Sequence, residues 1–304
     1  MATTTTALSF GVDTGVRDFV VLLKPRVMSL VVFTGVAGLL LAPGQIHPVI
    51  AAISILCIAV ATGASGAINM WYERDIDAKM GRTKDRPLPA GRMEPEAALA
   101  FGVVLAGGSV MVLGLGVNWA AAALLVLAIG FYVFVYTIWL KPRTPQNIVI
   151  GGAAGAFPPM IGWAAVTGDI SVGGIALFAL IFIWTPPHFW ALALYKCEDY
   201  EKAGIPMLPV VSGIQETKRQ ILLYTLTLLP VSLIPCALGT VSVWWGGFAA
   251  LMGFVFIALA ISVWFDETDR APRRMFRFSL FYLTTLFAAL IIDGFYFGMG
   301  AGQL

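Results

Sequence analysis

Long apolar runs separated by short polar breaks dominate this chain. In order, the runs predict nine helices of membrane-spanning length over residues 27–41, 48–71, 95–115, 119–140, 147–166, 172–195, 221–240, 241–265 and 276–298. A bilayer core asks for roughly 20 apolar residues in a helix, and the runs approach or reach that length. Proline and glycine punctuate them. Pro43-Gly44 closes the first run, and Lys141-Pro142-Arg143-Thr144-Pro145 closes the fourth. The second run is expected to continue as one helix into an acidic segment and to have stopped by Gly81 and Pro87. Residues 1–23 read as a polar, Thr-rich tail without the basic start of a cleaved leader, with a short interfacial helix at 16–23. The membrane domain is then 24–300, and the fold class is an all-α polytopic bundle of nine transmembrane helices.

Composition agrees with the pattern. Hydrophobic residues make up 59% of the chain and charged residues 12%, against about 25% charged in a soluble domain. Cys57, Cys197 and Cys236 are too far apart to form a metal pair or a disulfide framework. A net charge of +2 points to no nucleic acid. The placement of charge is more informative than its sum. Of the 19 Lys and Arg residues, three precede the first run, six follow the second, two follow the fourth, four follow the sixth and four follow the eighth. The other connections have none. Basic residues accumulate on the cytoplasmic side, so the N-terminus is expected inside and, with nine spans, the C-terminus outside.

The segment after the second run asks for a chemical explanation. Asn69, Glu73 and Asp77 are spaced i, i+4, i+8. At about 100° per residue they fall within roughly 80° of one another, on one helix face, with Asp75 turned away. Two carboxylates and an amide oxygen are hard ligands of the kind Mg²⁺ takes beside substrate phosphates. The plainer reading is a solvated helix end. Arg82, Lys84, Arg86 and Arg92 follow. Guanidinium groups suit phosphate oxygens, although by charge alone these residues read as topology signals. Together, acids and bases suggest a diphosphate site.

A second charged segment follows the sixth run. Lys196, Asp199 and Tyr200 lie at i, i+3, i+4 and share a helix face, where Asp199 would hold a second metal or orient Lys196. His188 stands beside Pro186-Pro187 inside the sixth run. An ionisable group at membrane depth is a functional candidate, and an imidazole can ligate haem iron. The alternative is a histidine bonded to a carbonyl freed by the proline kink. Gly151-Gly152-Ala153-Ala154-Gly155-Ala156 reads as a helix-packing surface rather than a nucleotide loop.

At these residues the chain resembles a known family. Asn69-x3-Glu73-x3-Asp77 followed by Arg82-Thr83-x2-Arg86-Pro87-Leu88 is similar to the first acidic motif of the UbiA-type intramembrane prenyltransferases. More narrowly, that motif resembles the protoheme IX farnesyltransferases (haem O synthases) when taken with three other stretches. These are Leu140-Lys141-x-Arg143-Thr144-Pro145-Gln146-Asn147, Pro186-Pro187-His188-Phe189-Trp190 and Asp199-Tyr200-x2-Ala203-Gly204-Ile205-Pro206-Met207. The resemblance implies a large cavity inside the nine-helix bundle, and transfer of farnesyl from farnesyl diphosphate to a vinyl group of haem B with addition of water. It implies Mg²⁺ held by Asn69, Glu73 and Asp77, with Arg82, Lys84, Arg86, Lys141 and Arg143 on the diphosphate. His188 would contact the acceptor, and Lys196, Asp199 and Tyr200 would complete the catalytic set. It further implies a bacterial inner membrane setting and hand-over of product to a haem A synthase or terminal oxidase assembly machinery.

One departure bears on the acceptor. Family members that prenylate aromatic substrates carry two aspartates where this chain has Lys196 and Tyr200, which favours haem over a phenol and leaves a second metal open. A phenolic or quinone-precursor prenyltransferase is the alternative enzyme, and a haem transporter the alternative outside enzymes.

Overall fold

A computed structural model describes residues 14–297; residues 1–13 of the expected tail and the last residues of the ninth expected span lie outside the described residues. The described chain is helical, and its elements run α1 (Val16–Leu22), α2 (Pro25–Leu41), α3 (Pro48–Tyr72), α4 (Arg74–Asp77), α5 (Pro95–Gly116) and α6 (Trp119–Gly130). Helix α6 runs on as a π-helix over Phe131–Leu140. Then come α7 (Asn147–Thr167), α8 (Val172–Tyr195), α9 (Cys197–Lys202), α10 (Leu208–Val211), α11 (Gly213–Ala237), α12 (Val243–Phe265) and α13 (Arg270–Phe297).

Eight stretches among the described residues are long and apolar enough to cross a bilayer by themselves. Helix α2 supplies the ninth. Its 17 residues sit at the short end of the spanning range, and α1 precedes it at an angle of 57°. The protein is an integral membrane protein. Each span packs on the next in sequence, and α13 returns to α2, so the spans close into a ring. Contacts of α2 with α7 and of α8 with α13 cross that ring. Helices α7 and α8 are the inner ones: 72% and 61% of their central windows are buried, against 28–44% for the other six.

Close approach explains the small residues of α7. A Cβ on Gly162 would lie 2.1 Å from the Gly35 carbonyl oxygen of α2 and 2.9 Å from the Leu39 amide nitrogen. Those are backbone atoms and cannot swing aside. A Cβ on Gly151 would meet the Tyr136 ring at 2.2 Å, which agrees with the packing role expected for that run. Gly162→Val is therefore expected to separate α2 from α7 at a cost of about 3 kcal/mol or more, overpacking against rigid backbone being the severe case. Thermal aggregation of the detergent-solubilised variant, measured beside wild type, checks this.

Three boundaries differ from the hydropathy reading. Helix α11 begins at Gly213, not near 221, because its first turns carry Gln215, Glu216, Lys218, Arg219 and Gln220, whose polarity masks a helix that starts in water. Helix α13 begins at Arg270 for the same reason. The expected continuous helix through 69–77 is broken at Glu73, where φ −90° and ψ 7° end α3 and begin α4. Asp293 lies near the C-terminal end of α13. It is buried and accepts from the Ser242 amide at 2.8 Å and from the Ser242 hydroxyl, closing the start of α12.

Candidate active site

The acidic segment leaves the membrane where α3 ends. Glu73 sits in the sparsely allowed bridge region of backbone space, yet the helical spacing survives the break. The Glu73 amide still donates to the Asn69 carbonyl at 2.9 Å, and the Asp77 amide to the Glu73 carbonyl at 2.8 Å. Asn69, Glu73 and Asp77 therefore stay in register. Each is only 3% exposed, which rules out a solvated helix end.

Burying two carboxylates requires partners, and each has a cation. Lys141 Nζ donates to both Glu73 oxygens at 2.5 and 2.6 Å. Arg86 Nη1 donates to Asp77 Oδ2 at 2.6 Å. Lys24 Nζ donates to Asn69 Oδ1 at 2.7 Å, and Asn69 Nδ2 donates to Thr137 Oγ1 at 3.1 Å. Asn69, Glu73 and Asp77 thus each face an ammonium or a guanidinium. The Thr83 hydroxyl donates to the Asp77 carbonyl at 2.8 Å and folds the basic loop back over the acids.

Distant elements bring these cations in. Lys24 joins α1 to α2 in a left-handed conformation, φ 52°. That conformation is uncommon for a residue with a side chain, and it turns the lysine into the bundle. On the other side, π winding over Phe131–Leu140 ends with the Lys141 amide bonded to the Tyr136 carbonyl at 2.9 Å, an i to i+5 bond. It presents Thr137 to Asn69 and Lys141 to Glu73. The Tyr136 ring lies under Lys141 at 5.8 Å and beside Tyr132 at 5.5 Å.

A cleft of about 110 Å³ opens beside this cluster, lined among others by Glu73, Thr137, Lys141, Gly204 and Ile205. The second charged segment therefore reaches the first. Tyr200 is its contact residue: it lies within electrostatic reach of Arg82 and Lys141, and burial holds its phenol above the ordinary range. Lys196 and Asp199 pair with each other at 3.2 Å, partly exposed. Arg82 and Lys84 are exposed at the rim. Arg143 turns away and caps the Ile138 and Trp139 carbonyls at 3.0 Å.

His188 stands apart, between α8 and α13. It is stacked between Trp184 at 4.4 Å and Phe276 at 4.7 Å, and 6% exposed. Its Nδ1 meets the Ser279 hydroxyl at 2.6 Å, not a carbonyl freed by Pro186-Pro187. The Ser279 hydroxyl also lies 2.7 Å from the Phe276 carbonyl, so it bridges that carbonyl and the imidazole.

The residues that sequence reasoning missed are Lys24, Thr137, Tyr132, Tyr136 and Ser279. Lys24 looked like one of three tail charges; the others carry no charge pattern at all.

The sequence profile of the UbiA prenyltransferase family matches residues 31–286. The chain belongs to that family. Curated relatives named protoheme IX farnesyltransferase include one from Parvibaculum lavamentivorans, 58% identical over 91% of this chain and 88% of the relative. Another, from Rhizobium rhizogenes, is 56% identical over 92% and 89%. Solved structures agree in fold. A digeranylgeranylglyceryl phosphate synthase superposes with TM-score 0.77 at 17% identity, over 91% of this chain and 97% of that one. A UbiA homologue from Archaeoglobus fulgidus, solved bound to DMAPP and Mg²⁺, superposes with TM-score 0.70 at 15% identity, over 90% and 99%. The protein is a membrane prenyltransferase of the protoheme IX farnesyltransferase branch.

Proposed function

We propose that this protein transfers the farnesyl group of farnesyl diphosphate to a vinyl group of haem B, with addition of water, giving haem O and diphosphate. The observation that carries the reading is the pairing of buried Asn69, Glu73 and Asp77 with Lys24, Lys141 and Arg86. Lys141 and Arg86 balance the two carboxylates, and burial lowers the pKa of the Lys24 ammonium to about 7, so it adds only a partial charge at neutral pH before any ligand arrives. A diphosphate anion would draw those cations to its own oxygens. The carboxylates and the Asn69 oxygen, released, would hold Mg²⁺. The fit is to a shared metal. Among the described residues no group of three or more Asp, Glu, His or Cys could hold an ion without the substrate, and Mg²⁺ usually takes one or two carboxylates plus substrate phosphates. When bound, the metal would offset the negative charge that grows on diphosphate as the bond breaks.

The chain's residues would then act as follows. Arg86 and Lys141 stabilise the departing diphosphate, with Arg82 and Lys84 at the rim. The C–O bond of the farnesyl group breaks and its electron pair leaves with diphosphate. The vinyl π pair forms the new C–C bond, and a cation is left on the carbon next to the pyrrole. Water adds there and loses a proton, giving the hydroxyethyl-farnesyl group. Tyr132, Tyr136 and Tyr200 offer π faces near the site for the allylic cation. Arg143 is assigned to closing the end of the fourth span, and Lys196 and Asp199 to the loop that carries Tyr200. His188 Nε2, without a hydrogen-bond partner among the described residues, is the candidate group to meet haem iron.

The positive-inside pattern supports a cytoplasmic site and N-terminus and an external C-terminus, and the bacterial relatives support an inner-membrane setting. The haem O product supports delivery to a haem A synthase or terminal oxidase. Purified protein given farnesyl diphosphate and haem B should form product with Mg²⁺, stop with a chelator and recover on Mg²⁺ addition. Undiminished turnover after chelation would remove the metal from this account.

A further inference from the structure

The seam between α8 and α13 carries a second group of cations that the diphosphate does not use. Arg273 lies over the Tyr195 ring, 4.4 Å from guanidinium carbon to centroid. Arg277, one turn further along α13, reaches the same phenol electrostatically, as do Arg82 from the basic loop and Asp269. Asp269 pairs with Arg273 at 3.2 Å in an exposed bridge. Such a bridge contributes little and exchanges readily. Arg277 is exposed and has no ion-pair partner among the described residues.

Beneath these guanidinium groups the seam turns aromatic. Phe276 lies 6.1 Å from the Tyr195 ring and 4.7 Å from His188, and Trp184 stacks on the other face of His188. His188 Nε2 has no hydrogen-bond partner among the described residues, although the side chain is more than nine-tenths buried. From Tyr195 to His188 is seven residues, about 10 Å along the helix. The seam thus offers two guanidinium groups at its mouth, a flat aromatic wall and, deeper, an imidazole whose Nε2 is unpartnered among the described residues.

We propose that Arg273 and Arg277 form the subsite for the carboxylates of the acceptor, so that a flat dicarboxylate lies along the α8–α13 seam. This rests on the haem reading. Haem B has two propionates on one edge and its vinyl groups away from that edge. Residues spaced i, i+4 stand roughly 5–6 Å apart at Cβ, a separation that two neighbouring carboxylates bridge. The guanidinium fork matches a carboxylate in shape as well as in charge. Propionates held at the mouth put the vinyl groups deeper. Arg82, which reaches both Tyr195 and Tyr200, ties this seam to the diphosphate loop. Arg274 distinguishes a subsite from a general topology charge. It follows Arg273 directly and so points about 100° away.

The test is an absorbance titration of purified full-length protein with haem B and with its dimethyl ester. Wild type should bind haem B more tightly than the ester. Arg273→Gln combined with Arg277→Gln should weaken haem B about 30-fold, two partly exposed charge-assisted contacts being lost, and leave the ester unchanged. Arg274→Gln should match wild type. Equal weakening of both ligands, or the same loss from Arg274→Gln, would overturn the subsite. Wild type that binds haem B and ester equally overturns the subsite and leaves the acceptor reading standing. Wild type that binds no haem overturns both.

Discussion

Asp77→Ala is expected to lower farnesyl transfer about a thousandfold. Removing a single preorganised group from developing charge costs two to three powers of ten, and Asp77 sits at the meeting point of two such roles. It is buried and within 2.6 Å of Arg86. Its loss removes a candidate metal ligand and leaves Arg86 without its anchor. Asp77→Asn separates the two effects. The amide keeps the volume and still accepts from Arg86, at a cost of about 3 kcal/mol from the stranded guanidinium, while the charge that a metal needs is gone. Its rate should fall nearly as far as that of Asp77→Ala. Arg86→Ala should likewise lower kcat, because the departing diphosphate loses a cation, and also raise KM for farnesyl diphosphate. Steady-state rates with purified variants, each first shown to elute as a monodisperse peak, distinguish these outcomes. An Asp77→Asn enzyme with near wild-type kcat would exclude Asp77 from the reacting centre.

The second large effect concerns Glu73 and Lys141. Their side chains are 4% and 18% exposed, and the ammonium is bonded to both carboxylate oxygens. Breaking a buried pair costs about 3–5 kcal/mol because the remaining charge is stranded. Partial solvent access to Lys141 puts this pair at the lower end of that range, about 3 kcal/mol. Glu73→Gln and Lys141→Met should therefore each destabilise by about that amount. The double variant strands no charge and should recover most of the loss. Activity should stay absent in all three, because catalysis needs the charges themselves. Stability is read from denaturant unfolding in mixed micelles. A double variant as unstable as the sum of the singles would mean the pair is not coupled as described.

Much of this was legible in the sequence, for definable reasons. A hydrophobic run long enough to cross a bilayer declares itself, so the spans were readable except where α11 and α13 begin with polar turns. The face of Asn69, Glu73 and Asp77 was readable because i, i+4 spacing within one element depends on helix geometry alone. The break at Glu73 was not, since no proline or glycine marks it. Contacts between elements distant in sequence were the least readable. Lys24 lies 45 residues from Asn69, and nothing in a tail lysine indicates that a left-handed turn will aim it inward. Thr137 and Lys141 reach the acids only through π winding, which apolar periodicity conceals. Arg143 shows the converse. It stands in a motif beside Lys141, but the turn directs it to carbonyls of its own helix. His188 stands out in the sequence as an ionisable residue inside an apolar run, while its partner Ser279, 91 residues away, was beyond any local signal.

The most direct test of the account is the mass of haem recovered after purified wild-type protein and Asp77→Asn are each incubated with farnesyl diphosphate, haem B and Mg²⁺. Wild type should yield haem heavier by one farnesyl group and one hydroxyl, and the variant should return haem B unchanged. Unmodified haem B from a folded wild type that instead prenylates a phenolic acceptor would contradict it.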